Sequence, residues 1–488
     1  MVAPTDEQSK HVSPLAIISR VLFFVYTVAA IIIAGILIHL SVLPLKYLIP
    51  VLAALAIPII VCGFFVFKKS SQKLAHILCI IFESILTIAL GLVFFYLGHT
   101  IGFFDSIKAA DYQIEEYAVL VQKDSNFATL DDLASHTIAI YDDHSDNYQT
   151  ALTELKEKIN INEVAYQNLS EAVNAIVTGG TDSLFIKSSL IEIATEVFPN
   201  FKSENFRTLD TIQIKTTIET IATTNVDVTK DPFNILISGI DTFGDISTVS
   251  RSDVNIVITV NPRTHTILLT TIPRDYEVQL HGTTGIKDKL THAGLYGINM
   301  SIQTIEDLLD IDINYYFRIN FDSTVNFIDA IGGIEITPDI TFYRPKYNCY
   351  FEEGVTIHLE GYCALTYARE RKAYGLGDLH RIQNQQDIID AVITKLTTSK
   401  AILSNYTGIL ASLSGSVETN VPSEQIYRLI NMQLDSMPSW KVERTTVNGT
   451  EIHVPTYTIP DQILFVFQQN PDSIAAASAK IHEVLAAE

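Results

Sequence analysis

Three long apolar runs open the chain. Residues 15–40 (LAIISRVLFFVYTVAAIIIAGILIHL), 47–67 (YLIPVLAALAIPIIVCGFFVF) and 74–98 (LAHILCIIFESILTIALGLVFFYLG) each supply the ~20 apolar residues a helix needs to cross a bilayer. A cleaved leader has one hydrophobic run of only ~7–15 residues, so the pattern predicts three membrane-spanning helices. Lys10 and Arg20 precede or open the first run, and Lys68, Lys69 and Lys73 fill the second connection. Basic loops stay in the cytoplasm, which places the amino terminus inside and everything after residue 100 outside.

Past the spans the period changes. DSIKAADYQIEEY is polar and reads as a stalk. Over residues 117–214, strands (YAVLVQ, TIAIYD) alternate with helices (LDDLASH, YQTALTELKEKI, SEAVNAIVTGG), and DSLFIKSSLIEIATEVF reads as a strand running into a helix. Such alternation predicts a small α/β unit. Its order of elements resembles one lobe of a periplasmic-type solute-binding domain, a likeness of pattern that carries no binding residue. A scaffolding or partner-binding role is the expectation, and the Thr-rich linker TTIETIATTNVDVT follows.

Within residues 231–274 three short runs of Ile, Val, Leu and Thr (234–240, 254–260 and 266–272) predict buried strands. Charged residues stand at their ends: Asp241, then Arg251 and Asp253, then Arg274 and Asp275. Open α/β sheets build ligand sites at such strand ends. Two spaced carboxylates suit a divalent cation, and a guanidinium grips phosphate through two hydrogen bonds. Further along, Leu295, Ile298, Ile302, Ile305, Leu308 and Leu309 recur near helical spacing, with Lys289 and His292 just before them. Residues 312–321 read as a strand, and STVNFIDAIGGIEI as a helix stopped by Gly332 and Gly333 with a strand after. A loop-rich stretch, 341–360, leads to a short helix, a Gly-containing loop and a long helix. That last helix puts Arg381 and Gln385 on one face, four residues apart. Arg369 and Arg371, two apart, point together only from a non-helical or terminal backbone. Residues 401–488 read as helical, with strand-like segments from YTGIL to VETN and at HVPTYTIP, where Pro455 and Pro460 forbid one continuous helix.

Composition sharpens this picture. With 488 residues the chain exceeds the roughly 250–300 that one core usually carries. It is 48% hydrophobic yet has a net charge of −22, a combination explained once the apolar residues are assigned to the spans. The acidic balance excludes a nucleic-acid binder, which needs a basic footprint. Glu83 lies inside the third run, where a carboxylate is costly and faces other helices or water. Cys62 and Cys79 fall in the spans and read as apolar residues. Cys349 and Cys363 fall on the outer side, where a disulfide persists, and are expected to close a hairpin.

Taken in order, SGID, SRSD, TIPRD, DKLTHA, GGIEIT, LEGYCALTYARER and GDLHRIQNQQ resemble the motifs of the LytR-CpsA-Psr (LCP) family of cell-envelope glycopolymer ligases, over residues 231–400. The three spans and the unit after them resemble its capsule-associated, CpsA-like branch. The expected layout is a membrane anchor (1–100), a stalk and small α/β accessory domain (101–228), an extracytoplasmic α/β catalytic domain with α-β-α layers (229–400) and a helical part packed on that domain (401–488). The resemblance implies a phosphotransferase in the cell membrane of a Gram-positive bacterium. It would move a glycan 1-phosphate from an undecaprenyl (polyprenyl) pyrophosphate carrier onto peptidoglycan, with Mg2+ or Mn2+ as cofactor and capsule-synthesis machinery as a candidate partner.

Carried over position by position, Asp241 and Asp253 resemble the metal ligands. Arg251, Arg274, Lys289, Arg369, Arg371, Arg381 and Gln385 resemble the pyrophosphate-binding set. Arg274, Asp275, Arg369 and Arg371 form the catalytic group, Asp275 either orienting the arginine before it or acting as base. Asn384 departs from the many members that carry Arg there. The same residues would serve a metal-dependent lipid pyrophosphatase or phosphodiesterase with water as acceptor, and a non-catalytic membrane regulator of capsule synthesis is the third reading. A lipid tail also needs an apolar slot, for which Phe317, Phe321, Phe327, Ile328 and Ile331 are candidates, with core packing as the other reading. The cysteine pairing has a direct check: thiol labelling of the native protein should modify Cys349 and Cys363 only after reduction, and labelling without reductant would contradict it.

Overall fold

The computed structural model describes residues 13–41, 43–68, 73–141, 145–218, 226–240, 245–371, 373, 378–398 and 406–488. Two compact units emerge, one drawn from residues 1–105 and 422–438, the other from 106–421 and 439–488.

In the first unit, helices Pro14–Leu40, Leu45–Phe67 and Lys73–Ser106 are each long and apolar enough to cross a membrane. Ser13 starts the first of them, its side-chain oxygen accepting the Ala16 amide at 3.3 Å. Tyr26, Ala30, Ile33 and Leu37 recur along one face and pack with Leu90. Outward positions such as Phe24, Ile31, Ile60 and Ile88 are left bare, as they are where lipid rather than water is the solvent. Glu83 is fully buried between the helices. Helix Ser423–Ser436 belongs to this unit: Tyr427 sits edge-on to Phe104 at 4.9 Å, Asn431 donates to the Ser41 carbonyl at 2.7 Å, and Asp435 pairs with Lys46 at 3.6 Å. That stretch of the C-terminal part, expected on the catalytic domain, therefore packs with the apolar helices instead.

The second unit contains two sheets. The smaller has the order Asn162–Tyr166, Thr137–Tyr141, Ser183–Lys187, Tyr112–Gln122 and Phe206–Thr217, with helices Asp146–Lys158, Leu169–Thr178 and Ile191–Val197 covering it. The first three strands run parallel, while Tyr112–Gln122 is antiparallel to both its neighbours. LDDLASH, read as a short helix, forms a 3-10 turn at Leu130–Leu133.

The larger sheet has the order Val417–Thr419, Tyr315–Asn320, Phe233–Ile240, Ser252–Asn261, Thr266–Thr271 and Lys441–Thr446. Its faces follow from the two-residue period of the strands. Leu236, Val257 and Leu268 point to one side, where helices Ile298–Leu309 and Pro471–Ala486 bring Ile302, Ile305, Ile481 and Val484. Ile237, Ile256, Ile258 and Leu269 point to the other, under Ile389 and Ile393 of helix Asp378–Thr398. The architecture is thus mixed α/β with helices on both faces of the larger sheet.

Strand Lys441–Thr446 corrects the helical reading of the C-terminal part. It lies parallel to Thr266–Thr271 at the sheet edge, held to helix Asp378–Thr398 by Arg444, which pairs with Asp387 at 2.5 Å and Asp390 at 2.6 Å. Its residues are polar and half-exposed, so no apolar alternation marked it as a strand. YTGIL is likewise the start of helix Tyr406–Leu413 and not strand-like. The helix expected from Leu295 to Leu309 begins only at Ile298, because Gly297 has a φ of 98° that only glycine adopts easily; Leu295 lies in a 3-10 turn before it, and His292 in the short helix Leu290–Ala293.

The two sheets share one body. Leu295, Ile459 and Leu464 from the larger part enter the core formed by Leu169, Ala172 and Ile193 of the smaller. The Ile114 amide donates to the Ser247 carbonyl at 3.0 Å and the Val249 amide to the Ile114 carbonyl at 2.8 Å. Cys349 and Cys363 are joined in a disulfide, which ties the ribbon of Phe342–Arg344 and Cys349–Phe351 to helix Gly361–Ala368 rather than closing a hairpin.

Gly294, beside Arg251 and the strand that carries Asp253, is a position of close backbone approach. A Cβ there would lie 2.5 Å from the Ser250 carbonyl oxygen and 2.8 Å from the Ser252 amide, both backbone atoms that cannot rotate away. Gly294→Ala is expected to destabilise the protein by roughly 1–3 kcal/mol, measured as a lower thermal midpoint in detergent, and an unchanged midpoint would contradict this contact.

Candidate active site

Strands Phe233–Ile240, Thr266–Thr271 and Tyr315–Asn320 end at the edge of the larger sheet where the antiparallel strand Ser252–Asn261 begins. Asp253 and Arg251 therefore stand at the amino end of their strand, yet on the same rim as the carboxyl ends of the others. A register irregularity between Gly239 and Ile240, opposite Val254 and Ser252, loosens the ladder at this point. Arg274 and Asp275 follow the Thr266–Thr271 strand after Ile272 and Pro273.

Asp253 is the centre of the charge network. Arg274 donates to its Oδ2 through Nη1 at 2.8 Å, and the Thr291 hydroxyl donates to its Oδ1 at 3.0 Å. Burial alone would raise its carboxyl, but the guanidiniums of Arg274, Arg251 and Arg381, with the Thr291 hydroxyl, outweigh that and hold it down at about 2. Asp275 is buried behind Arg274, accepting from Arg274 Nε at 3.3 Å and from Lys289 Nζ at 2.8 Å. Its burial is likewise outweighed, by Lys289 and Arg274, so it stays below the usual carboxylate range. Such a carboxylate is a weak base and a firm anchor; the geometry supports the orienting role. Lys289 is held in turn: its amide donates to Asp288, which is fully buried with His292 at 2.6 Å and accepts the Thr458 amide at 2.9 Å.

Helix Gly361–Ala368 ends with Arg369 as its C-cap, and the backbone then leaves the helix. Arg369 and Arg371 both reach the cavity, while Glu370 between them turns inward to pair with Arg344 and accept the Ala373 amide at 2.8 Å. Arg381 and Gln385, one turn apart on helix Asp378–Thr398, line the same cavity. Asn384 faces away, donating to the Tyr367 carbonyl at 2.9 Å, so the Arg-to-Asn departure ties the two helices together instead of touching a ligand.

The cavity holds about 520 Å3 and gathers Arg251, Asp253, Arg274, Arg369, Arg371, Arg381 and Gln385. Lys289 and Asp275 do not line it; they act from behind Arg274. Ile237, Val254, Ile319, Leu365, Ile388 and Ile389 supply its apolar surface, a group the sequence reading missed. Of the residues expected to form a slot, Ile328 and Ile331 are core, packed with Phe327, and Phe317 is half-buried on its strand away from this lining. The side chain of Phe321 lies outside the described residues. The cavity's remaining wall was also missed: Glu192, Thr195, Glu196 and Ser203 come from the smaller sheet's part of the chain, and Arg251 pairs with Glu192 at 2.7 Å and Glu196 at 3.0 Å.

A divalent cation needs several oxygen ligands. Of the two expected carboxylates, Asp253 is in place, and Asp241, next after strand Phe233–Ile240, lies outside the described residues. No group of three or more His, Cys, Asp or Glu able to hold a metal ion occurs among the described residues.

Fold and site together define an α/β protein whose cavity gathers several guanidinium groups near the strand-end carboxylate of Asp253. The chain belongs to the LytR_cpsA_psr family, whose model matches residues 198–473. Among its relatives is a polyisoprenyl-teichoic acid–peptidoglycan teichoic acid transferase, TagU, of Bacillus cereus (strain AH820). It is 36% identical over 198 residues, which are 40% of this chain and 63% of the relative. TagU of Halalkalibacterium halodurans is 35% identical over 234 residues, 48% of this chain and 75% of the relative. The crystal structure of B. subtilis TagV aligns over 52% of this chain and 98% of its own, with 30% identity and a TM-score of 0.44.

The depressed Asp253 carboxyl sets a pH dependence. Its folded value, about 2, lies below the ordinary 3.8, so the stability it contributes is complete above pH 4 and is lost as pH falls through 2. That contribution is about 2 kcal/mol. Asp253→Asn should remove this part of the acid sensitivity in chemical unfolding measured between pH 5 and 2, and identical slopes for the two proteins would contradict the assignment.

Proposed function

We propose that this protein is a phosphotransferase that attaches a lipid pyrophosphate-linked glycopolymer, capsular or otherwise anionic, to peptidoglycan through a phosphodiester bond. One observation carries the reading: Arg274, Arg369, Arg371 and Arg381 converge on one cavity that continues into the apolar surface of Ile237, Ile319, Ile388 and Ile389. A diphosphate on an undecaprenyl or other polyprenyl tail has that pairing of charge and hydrocarbon. The names of the TagU relatives, teichoic acid transferases acting from a polyisoprenyl donor to peptidoglycan, support it. The three apolar helices support donor capture at a membrane, with the amino terminus cytoplasmic and the catalytic part outside, as the basic loops suggest. A Gram-positive cell membrane is the proposed location, and capsule-synthesis proteins are proposed partners.

In this reading a peptidoglycan hydroxyl oxygen attacks the phosphorus that bears the glycan. The bond from that phosphorus to the bridging oxygen breaks, the hydroxyl proton is released, and polyprenyl phosphate leaves. Phosphoryl transfer needs little covalent help and much charge neutralisation. Arg369 and Arg371 would take the non-bridging oxygens from one side, Arg381 and Gln385 from the helix, and Arg274 from the sheet rim. Asp275 and Lys289 would keep Arg274 aimed, and the apolar lining would exclude water beside the tail. Arg251, committed to two glutamates, would act on Asp253 more than on substrate. Mg2+ or Mn2+ held by Asp253 and Asp241 would add charge neutralisation at the diphosphate.

The test uses the full-length protein in detergent, a polyprenyl diphosphate-linked glycan and peptidoglycan fragments. Arg369→Ala and Arg274→Ala should each lower kcat/KM for attachment about 100- to 1000-fold. Unimpaired attachment by either variant, or release of glycan phosphate to water with no attachment by the wild type, would sink the proposal.

A further inference from the structure

The disulfide-tied segment that leads to Arg369 also carries a pair of tyrosines outside the cavity. Tyr347 and Tyr362 stack with ring centroids 5.1 Å apart and 15° between their planes, yet they are 41% and 55% exposed. The ribbon's other stacked rings, Phe342 and Phe351, lie in the core. Cys349 and Cys363 hold the exposed pair together, since Tyr347 stands two residues before one cysteine and Tyr362 immediately before the other. The stack uses one face of each ring. The Lys346 ammonium lies 4.9 Å from the Tyr347 centroid, and among the described residues no ring or cation besides Tyr347 lies against Tyr362.

This pair continues the cavity. On helix Gly361–Ala368, Tyr362, Leu365 and Arg369 follow at spacings of three and four residues and so share one face, while Ala364 and Tyr367 are buried beneath it. Leu365 and Arg369 line the cavity. At the usual helical rise, Tyr362 stands about 10 Å along the axis from Arg369, the span of roughly two pyranose rings.

We propose that the Tyr347–Tyr362 stack is the docking platform for the acceptor: one sugar of a peptidoglycan strand lays its C–H face on the open face of Tyr362, and the sugars beyond it reach the diphosphate at Arg369. This rests on the functional reading above, which makes peptidoglycan the acceptor. A pyranose has an apolar C–H face and a rim of hydroxyls, and tyrosine matches it with an apolar ring and a polar tip. Charge favours this occupant over two others. Exposed Glu352, Glu353 and Glu360 belong to the same segment and stand against Lys346, because Arg344 is paired with Glu370. That balance offers no basic patch to an anionic glycopolymer or an anionic lipid surface. The rings of the peptidoglycan backbone are uncharged N-acetylated sugars.

The test uses the full-length protein and a short uncrosslinked peptidoglycan strand, with binding measured in the absence of donor. Tyr362→Ala should weaken binding about tenfold and Tyr347→Ala about fivefold, while Tyr362→Phe, which keeps the ring, stays within about twofold of the wild type. In transfer assays Tyr362→Ala should raise KM for the strand about tenfold and leave both kcat and the affinity for a polyprenyl diphosphate glycan within about twofold. Tyr362→Leu, which keeps bulk without a ring, stands in should the alanine variant not fold, and must show the same loss. Strand binding that these variants leave unchanged overturns the proposal, as does a loss of donor affinity in place of strand affinity. An effect seen in nanodiscs of anionic lipid and absent in detergent would assign the pair to the bilayer and overturn it too. A wild type that binds the strand through Tyr362 but transfers nothing refutes the ligase reading and leaves the platform standing, whereas transfer with an unchanged KM in Tyr362→Ala refutes the platform alone.

Discussion

The buried ion pair between Asp253 and Arg274 is the constraint around which the site is organised. Each side chain is about one-tenth exposed, so neither charge is stable without the other. Removing one partner of such a pair costs roughly 3–5 kcal/mol, although the intact pair adds little net stability over an apolar substitute. Its retention is better explained by position than by stability. Asp253 fixes the guanidinium from the sheet, Asp275 fixes it from behind, and Lys289 fixes Asp275. The result is a rim arginine whose direction is set before any ligand arrives, which is what electrostatic preorganisation requires.

The remaining charges reach that rim by different routes. Arg369 and Arg371 arrive at the end of a short helix, stapled by Cys349–Cys363 to the ribbon that also carries Arg344, the partner of Glu370. Arg381 and Gln385 arrive on a long helix clamped to the sheet by Gln386, which donates to Thr271 at 2.8 Å and to the Thr445 carbonyl at 3.1 Å. Rigid supports on every side keep several like charges together that would otherwise move apart. The smaller sheet supplies the counterweight, since Glu192 and Glu196 neutralise Arg251 at the cavity wall.

Much of this was legible in the sequence because local rules govern it. Short runs of Ile, Val, Leu and Thr marked the central strands, the four-residue spacing of Arg381 and Gln385 marked a shared helix face, and three long apolar runs marked the candidate spans. What escaped depends on long-range packing. Glu192 and Glu196 are 59 and 55 residues from Arg251, and nothing in IEIATEVF announces that partner beyond a pair of acids one turn apart. Strand Lys441–Thr446 escaped because an edge position spares its polar residues from burial. Helix Ser423–Ser436 looked like any amphipathic segment, and only its contacts with Phe104, Ser41 and Lys46 assign it to the apolar unit. Ile328 and Ile331 follow the core-packing reading, and the residues that do line the cavity escaped because a core position and a cavity-facing one have the same residue types.

The most direct test is an experimental density map of the full-length protein purified with a polyprenyl diphosphate glycan. The account predicts the diphosphate between Arg274, Arg369, Arg371 and Arg381, with the hydrocarbon along Ile237, Ile319 and Ile389. A head group seated away from these arginines, or a tail outside this cavity, would contradict it.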